Sequence, residues 1–209
     1  MLTNPAFYSG LLIVLETFAI TLLASLPLGL VVAAGRMSSF APLRWISQAY
    51  IALMRGTPLL LQLIFVYYGL PNVGIVFDRL PAAIFAFILN YAAYFAEIYR
   101  GGLEAIPRGQ YEAARTLGFD RITTYRRIIL PQLVKRVLPP ISNEIITLVK
   151  DTSLVYAIGV VDMMRVTQQE MNKTASLVPL IYSGGAYLLI VVILTFFLQR
   201  AEKRLSYYR

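Results

Sequence analysis

The chain has 209 residues, 58% of them hydrophobic and only 14% charged, where an ordinary soluble domain carries about 25% charged residues. It contains no cysteine and no histidine, which removes disulfides, thiol catalysis, histidine-ligated haem and the usual zinc sites. The formal net charge of +8 raises nucleic acid as a partner, but the placement of the basic residues argues for a membrane protein instead.

The expected molecule is an all-α integral membrane protein forming a single transmembrane domain over residues 1–209. Its first apolar run, about Leu11 to Ala34, is long enough to cross a core that needs about 20 residues. No basic stretch precedes it and basic residues follow it, so it reads as a retained span rather than a cleaved signal peptide. The second run, about Ile46 to Leu70, is interrupted at Arg55-Gly56-Thr57-Pro58. Thr57 is expected to N-cap the second half, Pro58 to sit in its first turn, and Arg55 to close the first half. Residues 58–70 alone rise only about 20 Å, short of a core of roughly 30 Å, so the half before the break must contribute.

A third span is expected from about Leu80 to Tyr99, followed by a polar loop over 103–131. In this loop Gln110 to Leu117 is built from good helix formers, and Gly118 ends the helix because glycine alone enters the left-handed conformation cheaply. Asp120 then N-caps a second short helix through Arg126 and Arg127, and Pro131 is expected to limit it. The product is a helix-turn-helix knuckle, with Glu112 near the start of its first helix complementing the helix dipole.

The fourth span begins near Val137, carries Pro139-Pro140 and reaches Lys150-Asp151. The run from Thr152 to Val161 is too apolar for a loop and too short to cross again. A break at Asp151-Thr152-Ser153 and a short helix are therefore expected. Asp162 would cap an amphipathic helix reaching Asn172, and the fifth span covers about Val178 to Leu198. Several of Tyr67, Tyr68, Tyr91, Tyr94, Tyr207 and Tyr208 fall where an aromatic belt is expected, and Ser183 to Ala186 form a small-residue face suited to close helix packing.

Most of the 19 lysines and arginines fall after span one, in the loop from Arg100 to Arg136, and in the C-terminal tail. Basic residues mark the cytoplasmic side, which puts the N-terminus outside, the C-terminus inside and the Glu112 knuckle in the cytoplasm.

A charge near the bilayer centre costs about 2.5–3.5 kcal/mol on insertion scales, so each such residue should face a cavity or a partner. Asn90, Tyr94 and Glu97 share one face of span three; Glu144, Thr147 and Asp151 share one face of span four. Together these faces form a candidate polar path for a zwitterionic solute. Glu144 is the leading contact for an amino group, supported by Asn90 and Asn143, with Asp151 and Ser153 at the break. Arg55 is a carboxylate ligand on this reading and a half-helix terminator on the other. Glu97 lies near the inner end beside Arg100, a position more often taken by a helix-end ion pair. Lys150 and Asp151 equally fit a cap at the helix break, Glu144 equally fits packing, and Glu16 in span one is open to both readings.

The loop pattern Glu112-Ala113-Ala114, then Gly118, Ile128, Leu130 and Pro131 (EAA-x3-G-x9-I-x-LP) resembles the cytoplasmic signature of permease subunits of ATP-binding-cassette importers. Arg55 to Leu60 with Gln62, Tyr67-Tyr68-Gly69, Ala93 to Gly102, Ala105-Ile106-Pro107, Gly109-Gln110, Lys150 to Leu154 and Ile158-Gly159 are similar to the polar amino acid permease branch of that family. The resemblance implies a type I importer permease fold with five transmembrane helices and a cytoplasmic coupling loop. It implies docking of a separate ATPase subunit through Glu112, Ala113, Ala114, Arg115 and Gly118. Further implied partners are an extracytoplasmic amino-acid-binding protein and a second permease subunit, identical or homologous, in the cytoplasmic (inner) membrane of a bacterium. The implied function is translocation of a polar amino acid.

No phosphate-binding Gly-x4-Gly-Lys-Ser/Thr loop is present, so the chain needs no cofactor of its own and leaves ATP to a partner. Arg115, Arg121, Arg126 and Arg127 are available to acidic groups on that partner; the other reading gives them lipid headgroups. An ATP-independent secondary carrier or channel is the alternative function, disfavoured because such carriers use inverted repeats that five spans do not display. A membrane enzyme would need a nucleophile–base pair, and none stands out.

Overall fold

The computed structural model describes residues 4–205, and every regular element among them is helical. The helices are α1 (Pro5–Arg36), α2 (Ala41–Gly56), α3 (Leu59–Ile64), α4 (Arg79–Glu104), α5 (Arg108–Thr116), α6 (Arg121–Thr124), α7 (Leu130–Asp151), α8 (Met163–Thr174) and α9 (Val178–Leu205). Tyr207 and Tyr208 lie outside the described residues.

Helical segments cover every expected apolar run and extend past it. The first starts at Pro5, where Asn4 N-caps it by accepting a bond from the Ala6 N–H (2.9 Å). The third continues to Glu104 and the fifth to Leu205, because polar residues extend a helix as readily beyond the apolar core as within it. By length and apolarity α1, α4 and α9 qualify as membrane spans; α2 with residues 59–73 qualifies as a pair bent by 106°. The expected fourth span, α7, has the length, but Lys135, Arg136, Asn143 and Glu144 make it the most polar of the long helices.

The core forms where α4 meets α1. Thr17, Thr21, Ser25, Gly29 and Ala33 recur every fourth residue on one face of α1, and all are buried. They meet α4, where Gly29 lies against Ala92, Phe95 and Ala96. Small residues on both sides let the backbones approach, the usual route to tight helix packing where no water drives association. A Cβ on Gly29 would lie 2.8 Å from Phe95 Cβ. The same device joins α1 to α8, where a Cβ on Gly10 would meet Met163 N at 2.6 Å. Asn4 Nδ2 adds a bond to Glu170 Oε1 (3.1 Å).

Three expectations need correction. Thr57 does not N-cap α3: Pro58 holds that position with no side-chain bond. The Thr57 hydroxyl instead donates back to Leu53 O (2.8 Å) at the end of α2. Pro131 does not end the second helix of the knuckle, because α6 runs through a π turn (Tyr125–Ile129) directly into α7. A proline lacks an N–H and crowds the carbonyl four residues earlier. Widening the turn just before Pro131, so that Leu130 N bonds Tyr125 O, relieves both conflicts without a break. Tyr91 is no belt residue; it is 2% exposed, inside the core.

The break after α7 falls where expected. A 3₁₀ segment, Thr152–Ile158, follows Asp151, and Gly159 ends it at φ +81°. Asp162 then caps α8, its carboxylate accepting bonds from Arg165 N (2.9 Å) and Met164 N (3.1 Å).

Candidate functional site

The knuckle is the most exposed polar feature of the fold. Within α5, Ala114 is buried against the bundle while Glu112, Ala113 and Arg115 face outward. The alternation follows from helical periodicity: one small residue turns inward and lets the helix lie close, and its neighbours are displayed. Gly118 turns the chain at φ +77°, and nothing lies within 4 Å of where its Cβ would be. Glycine is therefore required there by backbone conformation, not by crowding. Asp120 accepts from Thr123 N (3.2 Å) and begins α6; its bonds to Thr123 hold its carboxyl below the ordinary range. Glu112 lies in the second turn of α5, so the predicted dipole interaction is weaker than a first-turn position would give.

The sequence reading missed the apolar rim of this knuckle. Leu117 is 71% and Ile122 67% exposed, and Tyr125 and Phe119 are exposed with them. Tyr111 and Tyr125 stack edge to face at 6.1 Å, and burial pushes the Tyr111 hydroxyl up from its ordinary value. The rim follows the glycine turn at irregular spacing, so no periodic pattern announces it. A short helix carrying exposed charges of both signs beside exposed aromatic and aliphatic groups has the make-up of a protein-docking surface.

The candidate path residues divide into three groups. Asn90 is buried and faces the broken span: its Nδ2 donates to Met54 O (3.0 Å) and Gln62 Oε1 (2.9 Å). Gln62 Nε2 in turn reaches Met54 O (2.9 Å) and Thr57 Oγ1 (2.7 Å). Asn90 and Gln62 thus satisfy the carbonyl that the break in α2 leaves without a helical partner. Gln62 was singled out only by resemblance; a glutamine placed one turn beyond a break is the signal that marks this role.

Arg55 forms the second group. It lies 5.2 Å above the Tyr94 ring and 3.7 Å from Glu97 Oε2, and its side chain is 43% exposed. Glu97 is held more tightly by Arg100 (2.7 Å), which also reaches Glu104 (2.5 Å). The helix-end ion pair is therefore the observed role of Glu97, and Arg55 keeps capacity for another anion. Glu144 is half-buried, with Arg55 and Asp151 as the charged groups that act on it. Asp151 accepts from the buried Tyr91 hydroxyl (2.8 Å), so α4 fixes the end of α7. Asn143 is exposed one residue before Glu144.

Ser153 stands apart. Its hydroxyl donates to Lys150 O (2.7 Å), and it lines a separate groove of about 280 Å³ with Lys150, Met164, Gly184 and Tyr187. On α9, Ser183 bonds Thr167 and is buried, whereas Gly184 and Gly185 have open space where a Cβ would be.

This architecture has close counterparts. Residues 25–207 match the binding-protein-dependent transport system inner membrane component family. The chain is 41% identical over 204 residues to the arginine transport system permease protein ArtQ of Bacillus subtilis (strain 168), covering 97% of this chain and 93% of that protein. It is 35% identical over 206 residues to the L-cystine transport system permease protein TcyB of the same organism, with coverages of 98% and 88%. A crystal structure of an amino acid ABC transporter with histidines superposes with a TM-score of 0.88 at 34% identity, covering 96% of this chain and 94% of that one. The chain belongs to the binding-protein-dependent transport system inner membrane component family, among the permease proteins of amino acid ABC transporters, and is a transport component rather than an enzyme.

Proposed function

We propose that this chain carries a polar amino acid inward across the cytoplasmic membrane of a bacterium, with ATP bound and hydrolysed on a separate subunit docked at the α5 knuckle. The observation that carries this reading is the knuckle itself: Glu112 and Arg115 stand exposed beside Leu117, with Ala114 anchored beneath them. Five crossings are proposed, with α7 as the fourth. Its buried face, with Val137, Ile141, Ile145 and Leu148, packs into the bundle, and Lys135 and Arg136 mark its cytoplasmic end. The N-terminus is then outside and the C-terminus inside, residues 1–209 form one transmembrane domain, and residues 103–131 form its coupling loop.

The substrate class rests on the relatives, whose names specify arginine and cystine. Both are α-amino acids with polar side chains. Arg55 is suited to the carboxylate of such a solute, and Glu144, assisted by Asn143, to its amino group. Tyr94 lies beneath the Arg55 guanidinium, Asn90 secures the Met54 carbonyl beside it, Asp151 is held by Tyr91, and Ser153 lines the neighbouring groove. An extracytoplasmic binding protein and a second permease subunit, a copy or a homologue, complete the proposed assembly. Gly184 and Gly185 offer a close-packing face for the second subunit.

The docking role is tested by co-purifying the ATPase subunit with Glu112→Lys and Gly118→Pro variants. Loss of the ATPase from both, with normal membrane insertion, is expected; full complex yield from both would remove the knuckle from the interface.

A further inference from the structure

A second feature at the knuckle end of the molecule involves Arg127, open to an acidic partner or to lipid headgroups, together with basic residues of α7 beyond the docking helix. A cleft of about 630 Å³ opens between α5 and the start of α7, lined by Gln110, Arg127, Gln132, Lys135, Arg136 and Pro139 among others. Three of its lining residues are cationic and none is acidic. Arg127, Lys135 and Arg136 make no ion pair among the described residues. Gln132 is committed to Ile128 O (2.9 Å) and Gln110 Oε1 (3.3 Å), which fixes the floor of the cleft and leaves the Gln110 amide free to donate.

A second groove of about 280 Å³ adjoins it, between α7 and the end of α9. Lys135 and Pro139 line both, so the two lie side by side along α7. The second groove adds Leu138 and Leu205 to Glu202 and Lys203, and α9 beside it is the least buried of the apolar helices. The geometry points to an anionic phospholipid bound here, its phosphate against Arg127, Lys135 and Arg136 and an acyl chain along Leu138 and Leu205. A free phosphate would need only the first cleft; the apolar continuation toward the bilayer is what selects a lipid. An acidic segment of a partner protein would leave that apolar continuation uncovered.

The test is native mass spectrometry of the complete transporter released from nanodiscs of equal phosphatidylglycerol and phosphatidylcholine. Selective retention of phosphatidylglycerol is expected, falling as ionic strength rises. The triple variant Arg127→Gln, Lys135→Gln, Arg136→Gln should weaken it by about a hundredfold, taking the usual contribution of each basic residue at an anionic surface. Arg127→Lys with Arg136→Lys should preserve it, as should Arg44→Gln elsewhere on the molecule. Equal retention of both lipids, or undiminished retention by an assembled triple variant, would overturn the site. Complete displacement by millimolar inorganic phosphate would make it a phosphate site. Absence of lipid only when the ATPase or second permease is attached would assign the cleft to that protein. Either of these last two results also overturns the lipid assignment, and neither affects the docking role of α5.

Discussion

Asp120 and Asp162 each begin a helix, yet burial gives them opposite protonation behaviour. Asp120 is exposed and its bonds to Thr123 lower its pKa. Asp162 is fully buried, and burial pushes it up to about 6 despite its bonds to Arg165 N and Met164 N. An acid whose folded pKa is raised binds its proton more tightly in the folded protein. Stability should therefore increase as pH falls through about 6 toward the ordinary value of 3.8. Thermal unfolding of wild type and Asp162→Asn between pH 4 and 8 (a range of roughly two units either side of that value) checks this. The variant should lack the step; an unchanged step in Asp162→Asn would place its origin elsewhere. Both caps were legible in the sequence because a cap acts within three residues of itself. The partners of Asn90 and Tyr91 were not, because they lie 28 and 60 residues away and only the packed bundle brings them together.

At the scale of elements, apolar runs located the membrane helices and Gly118 located the knuckle's turn, but neither fixed where the helices end. Helix ends follow capping and polar helix formers, which continue past the lipid. The Pro131 expectation failed because a π turn can absorb a proline that would break a regular helix. Interhelix contact is read better from glycines. Gly29→Ala should lower the yield and thermal stability of the folded protein, since the new Cβ would meet Phe95 Cβ at 2.8 Å. Gly101→Ala, with nothing within 4 Å, should instead gain about 0.5–1 kcal/mol, the usual helix preference for alanine over glycine. Equal midpoints for the two variants would mean that α1 and α4 are not held as closely as Gly29 requires.

Across the whole molecule the basic residues gather at one end: Arg100, the knuckle arginines, the start of α7 and the end of α9. This asymmetry underlies the proposed orientation and was fully legible in the sequence. The placement of Arg55 over Tyr94 and near Glu97 was not, because these residues lie on different helices that only the packed bundle brings together. The protein has no native cysteine, so single cysteines report topology cleanly. Phe119→Cys should react with an impermeant maleimide only from the cytoplasmic side, and Ser176→Cys only from outside. The reverse pattern would invert the proposed orientation.

The central claim is that this chain transports an amino acid through an ATPase docked on α5. Its most direct test is uptake of single radiolabelled amino acids into proteoliposomes holding the permease, its ATPase and its binding protein. The account predicts uptake of a polar amino acid that requires ATP on the ATPase side and vanishes with Glu112→Lys. Uptake that persists without ATP, or that Glu112→Lys leaves intact, would contradict it.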